Sequence, residues 1–332
     1  MKSLLRWLTV ASCFIAVVSV KAQVGVTLEI VDGLYNETLK AKMERSASRL
    51  LTEINAAYND NRALNLVNMG LSDGAVSGLA ALWENVHFYC DDSEVVQSCL
   101  TVGNTYQVRQ IPLMIKPKGE TLDDEYQEAV INFDASGRIT RFNFTLSTNV
   151  YQNVMKKGKT VTEISRRQQI LSYVEQFRTA YNEKDIVFLE NIFSEDALII
   201  TGTVTKVRKT DGVGISYNKV TYKKQNKQQY IANLKRSFAS NKWINVLFED
   251  VKVVKHPNPM MEGFYGVTVR QKYSNSRGYS DDGYLFLLWD FRDKDNVQIH
   301  VRTWQPYWMD DKKTQPIAKE DVFTPGDFVI DL

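Results

Sequence analysis

The phrase AYNEKDIVFLENIF at residues 180–193 has a relative earlier in the chain, AYNDNRALNLVNM at residues 57–69. Ala, Tyr and Asn recur in order, an acid follows, and apolar residues return at matching places. Each copy closes a long stretch with apolar residues three and four apart, the mark of an amphipathic helix. In the first these are Leu39, Met43, Ala47, Leu50, Leu51, Ile54 and Tyr58, with Asn36 as the expected cap; in the second, Ile164, Ile170, Leu171, Val174, Phe177 and Tyr181, with Thr162 as the cap. The far ends correspond too. AVINFDASGRITRFNFTLS at 129–147 reads as a hairpin with its turn at DASG, and LFLLWDFRDKDNVQIHVRTW at 285–304 has the same form. An internal duplication explains all of this, with the join in KKGKT at 156–160.

The second unit fixes the fold class. After its paired helices come a strand at 196–204, a polar excursion to about Asn226, a helix carrying Tyr230, Ile231, Leu234 and Phe238 on one face, and four long strands. Helices followed by a run of antiparallel strands give an α+β domain, its helices packed on one face of a curved sheet. A chain of 332 residues has room for two such domains, and 44% hydrophobic and 11% aromatic residues exclude disorder. The net charge of +2 argues against nucleic acid as a partner. Lysines at 206, 209, 219, 223, 224 and 227 read as solvated loop charge.

The chain opens MKSLLRWLTVASCFIAVVSVKAQ, with Lys2 and Arg6 ahead of an apolar run and VKA at a cleavage-like position. This is the pattern of a secretory signal peptide over residues 1–22. A lipid on Cys13 is the competing reading, set against the apolar residues that would follow the anchor. No later segment is long enough to span a bilayer, so the expectation is an exported, periplasmic or extracellular protein, with outer-membrane association a further option. Cys90 and Cys99 then remain, flanking a DDSE turn that suggests a hairpin; they are either bridged across it or two buried thiols.

The order of two helices, a strand, a helix and four strands resembles the nuclear transport factor two-like fold, which includes ketosteroid isomerase, scytalone dehydratase and many non-catalytic modules. The passage AYNEKDIVFLENIFSEDALII carries the resemblance best. It implies two tandem cone-shaped domains, a degenerate first at 23–155 and a second at 161–313, with a tail at 314–332. Members often pair through their sheets, which implies docking of the two copies within one chain. In ketosteroid isomerase-like members a carboxylate base follows the D of DA by five residues and a helix tyrosine stabilises the oxyanion. Here those positions fall on Thr201 and Phe177, and near Cys90 in the first unit, so the resemblance implies no catalytic set.

Other constellations are weak. Acid pairs at Asp91 and Asp92, Asp123 and Asp124, Asp281 and Asp282, and Asp310 and Asp311 sit in turn-like contexts. His87, His256 and His300 never approach ligand spacing, so no metal and no cofactor are expected. The suggestive stretch is VQIHVRTWQPYWMDD. Strand alternation puts His300, Arg302 and Trp304 on one face, and Pro306 ends the strand before Tyr307 and Trp308. These five are the candidate contacts for a ligand or partner; the competing reading is that they close the sheet. The leading expectation is an exported, non-catalytic binding or assembly module, taking a protein partner in the envelope or a small ligand. The alternatives are an enzyme using Arg302, His300 or Arg270 in the second cone, and carbohydrate binding through Trp304, Tyr307 and Trp308.

Overall fold

The computed structural model describes residues 25–102, 105–116, 125–208, 216–293 and 296–330, so the signal segment lies outside the described residues. The first repeated phrase closes α1 (Glu37–Asp60) and the second closes α4 (Val161–Asn182). Asn36 caps α1 as expected, accepting from Leu39 N at 3.0 Å. Thr160, not Thr162, caps α4: its Oγ1 accepts from Glu163 N at 3.1 Å.

In the first half, α1 and α2 (Asp73–Asn85) lie against a sheet of β1 (Thr27–Asp32), β2 (His87–Tyr89), β3 (Glu94–Val102), β4 (Thr105–Lys116), β5 (Glu125–Phe133) and β6 (Ile139–Phe144). Its order is β1-β3-β4-β5-β6, with β2 on β4. Met43, Leu50, Leu51 and Ile54 of α1 belong to a core completed by Phe88, Phe142 and Phe144. Those three rings interlock, Phe88 stacking on Phe142 at 5.6 Å and meeting Phe144 edge-on at 5.2 Å, so aromatic bulk fills this cone.

The second half repeats the plan. Beneath α4, α5 (Ile186–Ile192) and α6 (Lys227–Ser240) runs a sheet of β7 (Phe193–Arg208), β8 (Ser216–Gln225), β9 (Ile244–Lys255), β10 (Phe264–Asn275), β11 (Ser280–Asp290) and β12 (Gln298–Pro306), ordered β8-β7-β12-β11-β10-β9. The polar excursion after residue 204 therefore contains a strand. β8 is an edge strand of polar and lysine residues, a composition that hides it from hydrophobic periodicity. Both halves are thus α+β, each with its own sheet, helices and core.

Cys90 and Cys99 do not flank a hairpin. β2 pairs with β4, whereas β3 pairs with β1 and β4, and both thiols are free and buried. Burial pushes the Cys90 thiol up to about 11, so it behaves as a core residue.

The halves meet, but not sheet to sheet. The outer face of the first sheet packs on α4, which therefore has a sheet on two sides. That explains why Glu175, Arg178, Thr179 and Asn182 are all buried; Ile164 in the first turn, placed on the apolar stripe by its spacing, is instead 40% exposed. Buried charge in such a sandwich needs partners. Arg109 of β4 reaches Glu175 with both terminal nitrogens, at 2.9 and 2.6 Å, and Leu146 N also donates to Glu175 at 3.0 Å. Arg178 donates to Val246 O at 2.8 Å on its own side and to Thr145 O and Gln127 Oε1, each at 3.1 Å, on the other. Between the halves lies α3 (Thr148–Met155), which precedes the KKGKT stretch yet buries Val154 in the second core.

The outer face of the second sheet is covered by residues 317–330. Phe328 stacks on Phe286 at 5.5 Å, and Phe323, Phe328 and Ile330 pack with Met261, Phe264, Leu288 and Val301. Two buried side chains hold this strap. Gln305 donates to Asp321 O at 2.7 Å and accepts from Phe323 N at 3.0 Å. His256 Nδ1 accepts from Asn258 N, which leaves Nε2–H to donate to Phe328 O at 2.8 Å.

Candidate functional site

The mouth of the second cone opens into a cavity of about 590 Å³ between α4, α6 and the inner face of the sheet. Its walls bring together tyrosines from α4, α6 and β10 (Tyr181, Tyr230 and Tyr273), with Gln271 and Asn275 of β10, Asp281 of β11, and Arg302 and Trp304 of β12. Alternation along β12 explains the last two. Arg302 pairs with Leu287 and Trp304 with Leu285, so both side chains share the inner face with those leucines.

Arg302 is 8% exposed, and its guanidinium lies 4.9 Å from the centre of the Tyr230 ring. Its polar neighbours are the hydroxyls of Tyr230 and Tyr181, which hydrogen-bond each other. Asp281 acts on it only through space, and Arg302 Nε has no hydrogen-bond partner among the described residues. A buried cation is normally matched by a carboxylate in contact; this one is not.

Asp281 stands at the rim, accepting from Tyr279 Oη at 2.9 Å through Oδ2 while Oδ1 is buried without a partner. Burial pushes its carboxyl up to about 6, against the pull of Tyr279 and Arg302. Trp304 Nε1 is a third buried polar atom without a partner. The Trp304 indole spreads over Gly283, where a Cβ would stand 2.7 Å from the ring, so Gly283 is needed for the wall to close.

The five residues singled out by sequence do not stay together. Arg302 and Trp304 line the cavity, but Arg302 is buried inside it and forms no open surface. His300 is on the opposite face: pairing between β11 and β12 slips between Leu288 and Trp289, Val301 facing the former and Ile299 the latter. A β-bulge of this kind turns the next side chain over. His300 therefore packs on Phe264 at 5.5 Å and sits 3.5 Å from Asp290; burial holds its imidazole below the ordinary value although Asp290 pulls the other way. Tyr307 and Trp308 lie past the strand end, edge to face, with Tyr307 under the Arg270 guanidinium at 3.7 Å. Arg270 is bound to Asp282 at 2.9 Å and does not line the cone.

Thr201, at the base position implied by the family resemblance, does line the cavity, while Phe177 is core. The residue that sequence reasoning missed is Asp281. SRGYSDDGY reads as a turn, yet Asp281, Gly283, Leu285 and Leu287 alternate toward the cone, and that period-two run was the available signal. Among the described residues no cluster of three or more His, Cys, Asp or Glu could hold a metal ion, and no helix is long and apolar enough to cross a membrane.

No family model matches the sequence, and no curated protein matches it. Among solved structures, the chain is similar to Bd1075 of Bdellovibrio bacteriovorus at 16% identity and a TM-score of 0.33, over 51% of this chain and 46% of that one. The chain thus spans about half the length of that protein. It is also similar to a nuclear transport factor two-like protein from Cytophaga hutchinsonii, at 16% identity and a TM-score of 0.31 over 42% of this chain and 98% of that one. A third likeness is to a nuclear transport factor two-like protein of unknown function from Pseudomonas putida, at 10% identity and a TM-score of 0.31, over 46% and 93% of the two chains.

Proposed function

We propose that this chain is an exported binding protein of the nuclear transport factor two-like type, whose second cone holds a small organic molecule by its anionic end. Residues 1–22 as a leader, 23–155 and 161–313 as the two domains, and 314–332 as a tail belong to this proposal, as does a place in the bacterial envelope. The observation that carries the ligand reading is Arg302: a buried guanidinium on the wall of an open cavity, with no carboxylate in contact. A ligand carboxylate would supply the missing charge, and a fork of N–H donors favours planar oxyanions. The cavity volume falls within the ~300–1,000 Å³ of small-molecule sites. Aromatic walls suit a ring or an apolar body behind the acid group.

The test is calorimetric titration with aryl and alicyclic carboxylates, using their methyl esters as controls. Acids should bind and esters should not, and at a hundredfold excess over Kd an acid should stabilise the fold by about 2.7 kcal/mol. Esters binding as well as acids, or Arg302→Gln retaining affinity, refutes the reading.

Asp281 favours a second reading, catalysis. A carboxyl pushed up to about 6 beside a ligand cavity suits proton transfer near neutral pH. On that reading Asp281→Asn keeps ligand affinity and loses turnover; a wild-type protein that returns every bound acid chemically unchanged removes it.

A further inference from the structure

A second hollow lies outside either cone. It is a groove of about 790 Å³ between the outer face of the first sheet and α4. One wall is a ladder in register: Gln107 of β4 faces Asn132 of β5, which faces Arg141 of β6. Three polar side chains thus cross three strands one strand spacing apart, ~4.8 Å. The other wall is a helical stripe at three- and four-residue steps, Arg166, Gln169 and Tyr173, the pattern that puts side chains on one helix face.

None of the lining side chains is a carboxylate; apart from Tyr173 and the two arginines they are amides and hydroxyls. Gln107 lines the groove and is only 4% exposed. Arg141 has Phe188 at 5.8 Å and no carboxylate in ion-pair contact among the described residues. The acid that acts on it, Glu183, does so through space and not in contact.

We infer that this interdomain groove binds an acidic glycan, a sugar chain bearing carboxylates. Paired amide donors and acceptors on one wall match ring hydroxyls, which both donate and accept. Two guanidinium groups with no carboxylate in ion-pair contact among the described residues match carboxylates on the chain. The groove is poor in apolar sockets for peptide side chains, and Tyr173 alone offers a ring face to a sugar. The site is independent of Arg302 and its cavity.

The experiment is titration of the mature full-length chain with an oligogalacturonate hexamer, a cello-oligosaccharide hexamer and a hexaglutamate peptide. The acidic glycan should bind, the neutral glycan and the peptide at least tenfold more weakly, and added salt should weaken binding. Arg141→Gln, and separately the pair Gln107→Leu with Asn132→Leu, should each lower affinity about tenfold. Should the leucine pair unfold the protein, Arg141→Gln at its half-buried position carries the test alone. The inference is overturned if the oligogalacturonate does not bind, if the peptide or neutral glycan binds equally well, or if the variants that fold bind as the parent does.

Discussion

The contact between Arg109 and Glu175 is the sharpest place to test whether the two halves behave as one unit. Glu175 is 1% exposed and accepts three hydrogen bonds, two from Arg109 and one from Leu146 N. Glu175→Gln keeps the volume but removes the charge, and its single amide oxygen can accept at most two of the three donors. Arg109, itself buried, then keeps the Tyr151 ring at 4.3 Å as its main neighbour. Breaking one side of a buried pair costs ~3–5 kcal/mol, because an unmatched charge remains. For a cooperative unit of about 300 residues, at ~2.1 cal/mol/K per residue, a loss of ~3 kcal/mol lowers Tm by roughly 5 °C. The double variant Arg109→Met with Glu175→Leu should recover most of it, since apolar residues of similar volume can replace a buried pair at little cost. Scanning calorimetry decides the matter. Wild type should melt in one transition. A Glu175→Gln loss below ~1 kcal/mol, or a double variant no better than the single, refutes the claim that this pair closes the interface.

Glu183 makes stability pH-dependent in a defined direction: burial raises its folded value to about 7 from 4.5, so between those values the folded state holds a proton that the unfolded state has released. Its contribution therefore falls as pH rises through that window, by at most ~3 kcal/mol, and Glu183→Gln should flatten the loss in denaturant titrations at pH 5 and pH 8. Asp281 should tune the cavity, because its neutral form leaves Arg302 as the uncancelled charge; carboxylate affinity should fall as pH rises through about 6, and Asp281→Asn should remove that dependence. Ending the chain after Lys313 strips Phe323 and Phe328 from the second sheet and removes the strap partners of Gln305 and His256. At ~1.5–3 kcal/mol per buried aromatic the loss should exceed ~3 kcal/mol, and light scattering should show self-association through the bared face; a stable monomer would refute this.

What the sequence revealed followed from burial on one side. α1 buries a single stripe, so its spacing named its core residues and its cap. The long strands β9 to β12 are rich in apolar and β-branched residues, and their number and order were legible from that. What it concealed has physical causes as well. α4 is covered on two sides and carries paired charges inside, so no single stripe describes it. His300 was assigned by strict alternation, which one extra residue at a bulge defeats, and that bulge leaves no mark in composition. Asp281 was masked by turn-forming neighbours. The contact of the halves depends on which faces lie outward, and repetition alone does not encode that.

The two copies have diverged in opposite ways from one plan. In the first, Phe88, Phe142 and Phe144 interlock through the cone, and the outer sheet face carries Arg109, matched by Glu175 of α4, and Gln107, Asn132 and Arg141, which line the groove. In the second, the cone stays open around Arg302, and the outer face is apolar and sealed by the strap. An apolar outer face is safe only when covered, whereas a polar one can stay open to water or to a ligand. On the two proposals made above, the first domain would act through its outside and the second through its inside. Consistent with that division, filling the second cone with Thr201→Phe should abolish carboxylate binding there while leaving oligogalacturonate binding at the interdomain groove within about twofold of the parent. Loss of both together would mean that the cone and the groove are one coupled site, and the separation of roles argued from Arg302 and Gln107 would fail.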